Sequence, residues 1–257
     1  MPAQIDLARV RIILHRPRYP ENIGAAARAA CNMGLRRVDI VQPENPLGDR
    51  IRMMATHAAG EVVDRMTTYA SLAEALRDCH YVVGTTARLG GQRQAVLDPG
   101  SMARRLIPIS HQNEIAVVFG PEDRGLTNED LRFCHALLNI PTAAFSSLNL
   151  AQAVMVVCYE LFTAGEKTAG ASVPRLATRH ELDNMYSQLK DILVRISYIN
   201  PENPDYWLKH MRQFFTRIQL RAREVSIIRG LCRQVDWYAR KNYEDGLEDG
   251  RRQNPKE

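Results

Sequence analysis

Short apolar runs alternate with segments of helical periodicity through the first 165 residues of the chain. The apolar runs have the length and composition of buried strands, and they occupy residues 10–14, 38–41, 81–83, 115–119 and 137–140. Apolar residues at helical spacing follow at 23–33, at 71–79 and again after Asn149. Strands that alternate with helices favour a mainly parallel sheet covered on both faces. The pattern therefore predicts an α/β fold.

Residues with capping side chains mark the ends of several of these helices. Asn22 is suited to the N-cap of the first helix, and Gly34 is suited to the left-handed position just after its end. Ser71 with Glu74 has the spacing of a capping box, and Thr127 is suited to start a further short helix. These signals predict where the helices begin and end.

Three of the predicted strands end in loops rich in glycine and polar residues, at 85–91, 120–127 and 141–149. The carboxyl ends of neighbouring parallel strands meet at one edge of a sheet, which is the usual ligand crevice of an α/β protein. In the third loop, two serines and Asn149 supply more polar groups than one helix cap needs, which favours a ligand site. The first strand–helix turn lacks G-x-G-x-x-G, and the 85–91 loop lacks the Gly-Lys-Ser/Thr of a Walker loop.

The character of the chain changes after residue 165. Residues 166–178 are small, polar and broken by a proline, which is typical of a linker. From residue 179 onward the apolar positions recur at helical spacing, and a charged tail begins near Asn242. The sequence therefore predicts one domain over 1–165, a linker over 166–178 and a helical extension over 179–257.

Composition and charge exclude several classes of protein. Hydrophobic residues make up 45% and charged residues 25%, as in an ordinary globular protein, and the longest apolar runs are too short to span a membrane. The N-terminus lacks a signal-peptide pattern. The five cysteines lie far apart with no CxxC pair, which argues against a zinc site or a disulfide framework, so we expect no metal and a cytoplasmic location.

The net charge of +5 is weak support for an anionic partner, but the basic residues are unevenly distributed. Seven of them fall between Lys209 and Arg233, with only Glu224 against them. Such a block is either a solvated helix face or a surface that contacts phosphates, and its density favours phosphate contact.

Three stretches resemble the three motifs of the SpoU-type, or SPOUT, RNA 2′-O-methyltransferases. They are residues 20–29 (PENIGAAARA), residues 118–127 (VFGPEDRGLT), and residues 139–141 (NIP) followed by 146–153 (SSLNLAQA). All three occur in the order of that family. The helical extension, with FFTR at 214–217 and IRG at 228–230, resembles more loosely the TrmJ branch, whose members methylate tRNA.

The resemblance implies a parallel sheet with a C-terminal trefoil knot, S-adenosylmethionine as the methyl donor, and a homodimer with its active site at the subunit interface. The expected reaction is 2′-O-methylation of a pyrimidine ribose, nucleotide 32, in the tRNA anticodon loop. One alternative is that the enzyme methylates rRNA instead of tRNA. Another is that the protein binds RNA with the same fold but has lost catalysis. A small-molecule enzyme with a nucleotide cofactor would leave the basic extension unexplained.

The resemblance also assigns roles to particular residues. For catalysis they are Arg28, Asn22, Glu122, Ser147 and Asn149. For the cofactor they are Thr85, Thr86, Ala87, Gly120, Ile140, Ser146, Ser147 and Leu148. For RNA, the position of the basic residues suggests Arg16, Arg18, Lys209, Arg212, Arg217 and Arg221.

Several of these residues also have purely structural interpretations. Arg28 lies on an alanine-rich helix and, without the resemblance, is best interpreted as an exposed residue. The resemblance implies that Arg28 accepts the hydroxyl proton; because a guanidinium is normally locked in its charged form, we expect it to orient the hydroxyl and a neighbouring phosphate, and action as a base stays an open alternative. Asn22 and Asn149 can each serve as helix caps, and Glu122 can be an ordinary acidic loop residue. His15, His57 and His111 show no ligand spacing and are expected to be structural or surface residues.

Overall fold

The structure is a computed structural model, which describes residues 3–87, 96–143, 147–166, 173–200 and 202–253. The chain divides into two compact units, Met1–Arg179 and His180–Glu257. The strands of the described residues all belong to the first unit: β1 Ala3–Gln4, β2 Val10–His15, β3 Arg37–Val41, β4 Thr68–Tyr69, β5 Tyr81–Thr85, β6 Val96–Leu97, β7 Ile115–Phe119, β8 Ala136–Leu138 and β9 Gly165–Glu166. The helices are α1 Pro20–Asn32, α2 Gly48–Ala55, α3 Gly60–Asp64, α4 Leu72–Ala75, α5 Pro99–Ser110, α6 Asn128–Leu131, α7 Leu150–Thr163, α8 Arg179–Arg195, α9 Pro204–Ile218 and α10 Ala222–Gln253.

Seven strands form one sheet in the order β4-β3-β2-β7-β5-β8-β6. Every neighbouring pair in this sheet is parallel, which confirms the predicted α/β fold with a parallel sheet. β1 and β9 form a separate antiparallel pair. Strands β2 and β7 are buried at every position because they lie inside the sheet with both faces covered. The trefoil knot stays a prediction.

Successive strand residues point to opposite faces of the sheet, and each face has its own core. On one face, alternate residues such as Ile12 and Leu14 pack with α1, α5 and α7. On the other, Ile13 and Val41 pack with the short helix α4. The continuous apolar runs of the sequence are thus explained by burial on both sides rather than on one.

Most of the predicted helix ends are confirmed, but the N-cap at Asn22 is wrong. The side chain of Ser71 accepts a hydrogen bond from the Glu74 amide, and Thr127 forms a complete capping box with Asp130. Helix α1 begins at Pro20, because a proline fits the first turn, where no amide hydrogen is needed. Asn22 therefore lies inside the first turn, where its side chain is free for other contacts.

The second unit consists of helices, as the periodicity of the extension predicts. Within it, the ring of Tyr186 on α8 lies 6.1 Å from that of Phe215 on α9. The side chain of Gln188 exchanges two hydrogen bonds of 3.3 Å with Arg229 on α10. No helix of the described residues is both long enough and apolar enough to span a membrane.

Helices α1 and α2 approach each other closely at Gly24. A Cβ atom at this position would lie 2.1 Å from the carbonyl oxygen of Ile51 and 2.9 Å from the Cβ of Met54. The first of these neighbours is backbone and cannot rotate away. The glycine in the alanine-rich stretch 24–30 is therefore needed for helix packing.

A buried pair joins the end of β2 to the start of α6. Nε2 of His15 lies 3.2 Å from Oδ1 of Asp130, while Oδ2 of Asp130 accepts hydrogen bonds from both the amide and the hydroxyl of Thr127. Burial by itself would raise the pKa of Asp130, but the hydrogen bonds from His15 and Thr127 outweigh it and lower that pKa to about 2. This pair anchors the loop between β7 and α6 to the sheet.

Replacing Gly24 by alanine should destabilise the fold by about 1–3 kcal/mol, because the new methyl group would push α2 away from α1. Urea denaturation followed by circular dichroism measures this change. The matched control is Gly60→Ala, at a helical position with open space around its Cβ, where the replacement should be neutral or slightly stabilising. Equal stabilities of the two variants would show that the close approach is not maintained in solution.

The Asp130 carboxylate should contribute stability that is present above pH 4 and disappears as the pH falls from about 4 to about 2. The sign follows from its lowered pKa, since the unfolded chain binds this proton first. Asp130→Asn should cost roughly 2 kcal/mol at neutral pH and remove this part of the acid dependence. Denaturation curves from pH 2 to 7 test it, with the exposed neighbour Glu129→Gln as the control, which should leave the acid dependence intact.

Candidate functional site

A cavity of about 320 Å³ opens at the carboxyl ends of β7, β5 and β8. These three strands are neighbours in the sheet, so the convergence of their loops, expected from the sequence, is confirmed. The cavity is lined by Thr85, Thr86, Ala87, Phe119, Gly120, Pro121, Glu122, Asp123, Arg124, Gly125, Leu126, Leu138, Ile140, Ser147, Leu148, Leu150 and Ala153.

Hydrogen bonds between the strand ends fix the floor of the cavity. The hydroxyl of Thr85 donates to the carbonyl of Val118 at 3.0 Å, and the amide of Thr86 donates to the carbonyl of Leu138 at 2.9 Å. The side-chain amide of Asn139 donates to the carbonyl of Thr86 at 2.8 Å. The loop after β5 is thereby tied to both neighbouring strands, which gives its backbone a defined position beside the cavity.

The loop after β7 folds back tightly on itself. A Cβ atom at Gly120 would lie 2.4 Å from both the carbonyl carbon of Gly125 and the amide nitrogen of Leu126. Gly125 has a φ of +66°, a conformation that favours glycine, and its amide donates to the carbonyl of Pro121 at 2.9 Å. A bound molecule would therefore meet backbone groups along this wall of the cavity.

A line of hydrogen bonds joins the three sequence motifs beside the cavity. The side-chain amide of Asn149 donates to Oδ1 of Asn22 at 2.9 Å, and that of Asn22 donates to Oε1 of Glu122 at 2.8 Å. The second carboxylate oxygen of Glu122 accepts from the backbone amide of Arg18 at 3.1 Å. We call Asn149, Asn22 and Glu122 the Asn–Asn–Glu line.

The orientation of the side-chain amides in the Asn–Asn–Glu line follows from the contacts of Asn149. Oδ1 of Asn149 accepts from the amides of Ala151 and Gln152, so Asn149 caps α7, as the sequence suggested. Its nitrogen must then be the atom that faces Asn22, and the nitrogen of Asn22 must face the carboxylate. Asn149 is thus both a helix cap and a member of the site.

Arg28 is not close to this line. It lies six positions after Asn22 on α1, which places the two side chains about 120° apart around the helix and about 9 Å apart along it. Arg28 is exposed and does not line the cavity, and within the described residues it has no hydrogen bond or ion pair. The cavity of one chain therefore lacks the arginine that the family resemblance assigns to it.

Arg16 and Arg18 lie at the carboxyl end of β2, close to the cavity rim. The side chain of Arg16 donates to Oε1 of Gln42 at 3.0 Å. Arg18 forms ion pairs of 3.2 Å with Glu44 and with Asp123, and both carboxylates raise the pKa of its guanidinium. The charge of Arg18 is thus engaged within the chain, so it is less available to RNA than the sequence suggested.

The other predicted residues fall into three groups. The described cofactor-binding candidates all line the cavity, namely Thr85, Thr86, Ala87, Gly120, Ile140, Ser147 and Leu148. Ser146 lies outside the described residues. The basic candidates of the extension are exposed within the second unit, namely Lys209, Arg212, Arg217 and Arg221.

Sequence reasoning missed part of the cavity wall. Asp123, Arg124, Gly125 and Leu126 line it, although they lie within the second motif. The available signal was their place in or next to a short loop that has a glycine at each end, Gly120 and Gly125. Leu150 and Ala153, in the first turn of α7, were interpreted only as helix residues, yet they also line the cavity.

Comparison with known proteins agrees with this geometry. Residues 9–159 match the SpoU rRNA Methylase family, and residues 180–245 match the C-terminal domain of the tRNA methyltransferase TrmJ. The tRNA (cytidine/uridine/adenosine-2′-O-)-methyltransferase TrmJ of Pseudomonas aeruginosa is 36% identical over 249 residues, which cover 91% of this chain and 96% of that protein. The tRNA (cytidine/uridine-2′-O-)-methyltransferase TrmJ of Photorhabdus laumondii is 33% identical, covering 91% of this chain and 100% of that protein.

A solved structure shares the architecture of both units. The crystal structure of TrmJ from Z. mobilis ZM4 is similar with a TM-score of 0.76 at 30% sequence identity, covering 88% of this chain and 98% of that one. The motifs, the parallel sheet and these matches lead to one conclusion. The chain belongs to the SpoU methylase family, with a C-terminal extension of the TrmJ type.

Proposed function

We propose that this protein transfers a methyl group from S-adenosylmethionine to the 2′-hydroxyl of a pyrimidine ribose in tRNA, at nucleotide 32 of the anticodon loop. The observation that supports this proposal best is the Asn–Asn–Glu line, which joins one polar residue from each motif by hydrogen bonds and ends at Glu122, a residue of the cavity wall. The names of the relatives support tRNA and its cytidine and uridine nucleotides as the substrate class. A cytoplasmic location accords with such a substrate.

The cavity suits a nucleoside-type cofactor. Leu138, Ile140 and Leu148 offer apolar surface to an adenine ring, while the backbone of the two loops offers hydrogen-bonding groups to its edge. In the loop at 120–125, the backbone of Gly120 lies directly against that of Gly125, without a side chain between them. When bound, S-adenosylmethionine supplies an activated methyl group on a sulfonium centre.

The chain's own residues then have to align the acceptor hydroxyl, which is a poor nucleophile at neutral pH. Glu122 is held by donors on both of its oxygens, so its position at the cavity rim is defined. Each oxygen keeps acceptor capacity for a further donor, such as a ribose hydroxyl. In this proposal Glu122 and Asn149 position the ribose, Ser147 contacts the methyl donor, and Arg28 orients the hydroxyl and its neighbouring phosphate.

A homodimer would provide the missing arginine. Helix α7 exposes Val156, Tyr159 and Phe162 at intervals of three residues, and these side chains are 37%, 51% and 54% exposed. Exposed aromatic side chains on one helix face are typical of an interface between protein chains. Helix α7 packs against α1, the helix that carries Arg28, so in this proposal the interface extends from the stripe to Arg28.

RNA would be held by basic residues of both units. Arg16 directly follows β2, at the same carboxyl edge of the sheet at which the cavity opens, and four exposed basic residues of the extension, from Lys209 to Arg221, face solvent. Contacts of this kind with phosphates contribute affinity without sequence preference. The choice of nucleotide would then depend on the fit of the RNA at the cavity.

Labelled S-adenosylmethionine should methylate bulk tRNA, and mapping of ribose methylation should find the product at nucleotide 32 of the anticodon loop. Glu122→Gln, which removes acceptor capacity but keeps the shape, should lower transfer on the order of a hundredfold, with cofactor binding nearly unchanged. Glu129→Gln is the matched control. Transfer to rRNA alone, tested separately, would overturn the tRNA substrate, and transfer to neither RNA would overturn the enzyme activity.

Co-expression of two inactive variants tests whether Arg28 acts across a dimer. A mixed dimer of Arg28→Ala and Glu122→Gln contains one intact site only if Arg28 of one chain completes the cavity of its partner. The mixture should then regain about a quarter of the wild-type activity, because half of the dimers are mixed and half of their sites are intact. An inactive mixture would show that Arg28 acts within its own chain or that no dimer forms.

A further inference from the structure

A second cleft, of about 230 Å³, lies at the β4 side of the sheet. It is lined by Arg11, Arg36, Arg37, Asp39, Arg65, Thr67 and Tyr69, and we call it the arginine cleft. Arg11 and Arg37 lie at the amino ends of β2 and β3, whereas the cavity described above opens at the carboxyl ends of strands in the same sheet. The two sites are therefore separate.

Two arginines in this cleft are placed side by side by the sheet. Arg11 and Arg37 are direct register partners in neighbouring parallel strands, so their side chains leave the sheet on the same face. Like charges at adjacent positions of this kind are unfavourable. Arg11 is also 91% buried, since only 9% of it is exposed, and its buried Nε atom has no partner among the described residues. The fold retains this arrangement in spite of both costs.

The nearby carboxylates only partly compensate the charge. Asp39, which lies in the cleft, is 3.7 Å from Arg11 and also accepts the amide of Thr67. Glu61 is shared between Arg36 at 4.0 Å and Arg65 at 2.5 Å.

A third carboxylate, that of Glu114, is also divided between two cations. It pairs with Arg37, and its other oxygen lies 3.3 Å from Arg9. The four arginines of the cleft thus face three carboxylates: Asp39 lines the cleft, Glu61 serves two of the four arginines, and Glu114 is shared with Arg9, which also pairs with Asp6. The cleft consequently has positive character.

The remaining lining groups add neutral donors. Thr67 and Tyr69 also line the cleft, and neither hydroxyl has a hydrogen-bond partner within the described part of the chain. Guanidinium groups with hydroxyls around them suit a ligand that carries several negatively charged oxygens. Phosphate has this chemistry, and it would relieve the unfavourable pairing of Arg11 with Arg37.

We propose that the arginine cleft binds a phosphate group. The phosphate comes from the backbone of the bound RNA, at a point away from the methylated ribose, or from a free phosphate ester. The first source rests on the proposed function, and the second does not. In either case the cleft is an anion site in addition to the cofactor cavity.

The double variant Arg36→Gln/Arg65→Gln tests this proposal with little risk to the fold, because the two side chains are 58% and 68% exposed. The matched control, Arg104→Gln/Arg132→Gln, removes two exposed arginines of the same unit away from the cleft. The cleft variant should bind tRNA about tenfold more weakly than the control. In a plot of the logarithm of tRNA affinity against the logarithm of salt concentration, the slope for the cleft variant should be smaller in magnitude by about one.

Binding of inorganic phosphate and of pyrophosphate to each protein identifies the source of the phosphate group. Thermal unfolding and calorimetry measure this binding. If these ions bind the wild-type and the control but not the cleft variant, while tRNA affinity is equal in all three, the ligand is a free phosphate. If tRNA affinity falls only in the cleft variant, the ligand is the RNA backbone. If the cleft variant equals the control in both assays, the proposal is overturned. Methyl transfer by the wild-type is scored separately, so its failure overturns the proposed function without affecting the phosphate result.

Discussion

The candidate site depends on the position of one carboxylate. Glu122 accepts a side-chain amide from Asn22 and a backbone amide from Arg18, and Asn22 in turn accepts from Asn149. These three bonds join residues that are 100, 104 and 127 positions apart in the sequence. Each one closes a long loop, so it can form only after the sheet has brought β2, β7 and the start of α7 together. The geometry of the site is therefore a property of the complete fold rather than of any one motif.

Local signals predicted much of the architecture. The alternation of apolar runs and helical segments indicated a parallel sheet, and Ser71, Thr127 and Gly34 marked helix ends because their partners lie within a few residues. The same reasoning failed at Asn22, whose partners are about a hundred residues away. A side chain that is suited to capping is equally suited to a distant amide or carboxylate, and only the tertiary structure decides between them.

The charged residues could be counted from the sequence, but the contacts that each of them makes could not be predicted from it. Arg18 is engaged by Glu44 and Asp123, Arg28 faces solvent, and Arg11 is buried beside Arg37. Strand register determines the last of these arrangements, and register is not visible in a sequence in which the two arginines are 26 positions apart. The basic block of the extension was recognisable because its residues lie close together in the sequence, between 209 and 233. The arginine cleft was not, because its residues come from separate strands and loops.

Helix α7 connects two surfaces of different kinds. Its first turn, with Leu150 and Ala153, forms part of the cavity wall, while Tyr159 and Phe162 at its far end are exposed. A single helix responds as one body, so a molecule that displaces its first turn also displaces the exposed end. By thermodynamic linkage, occupancy of the cavity and coverage of the exposed face then influence each other by the same factor in both directions. Such coupling would be seen as an affinity for the molecule in the cavity that changes when the exposed face of α7 is covered.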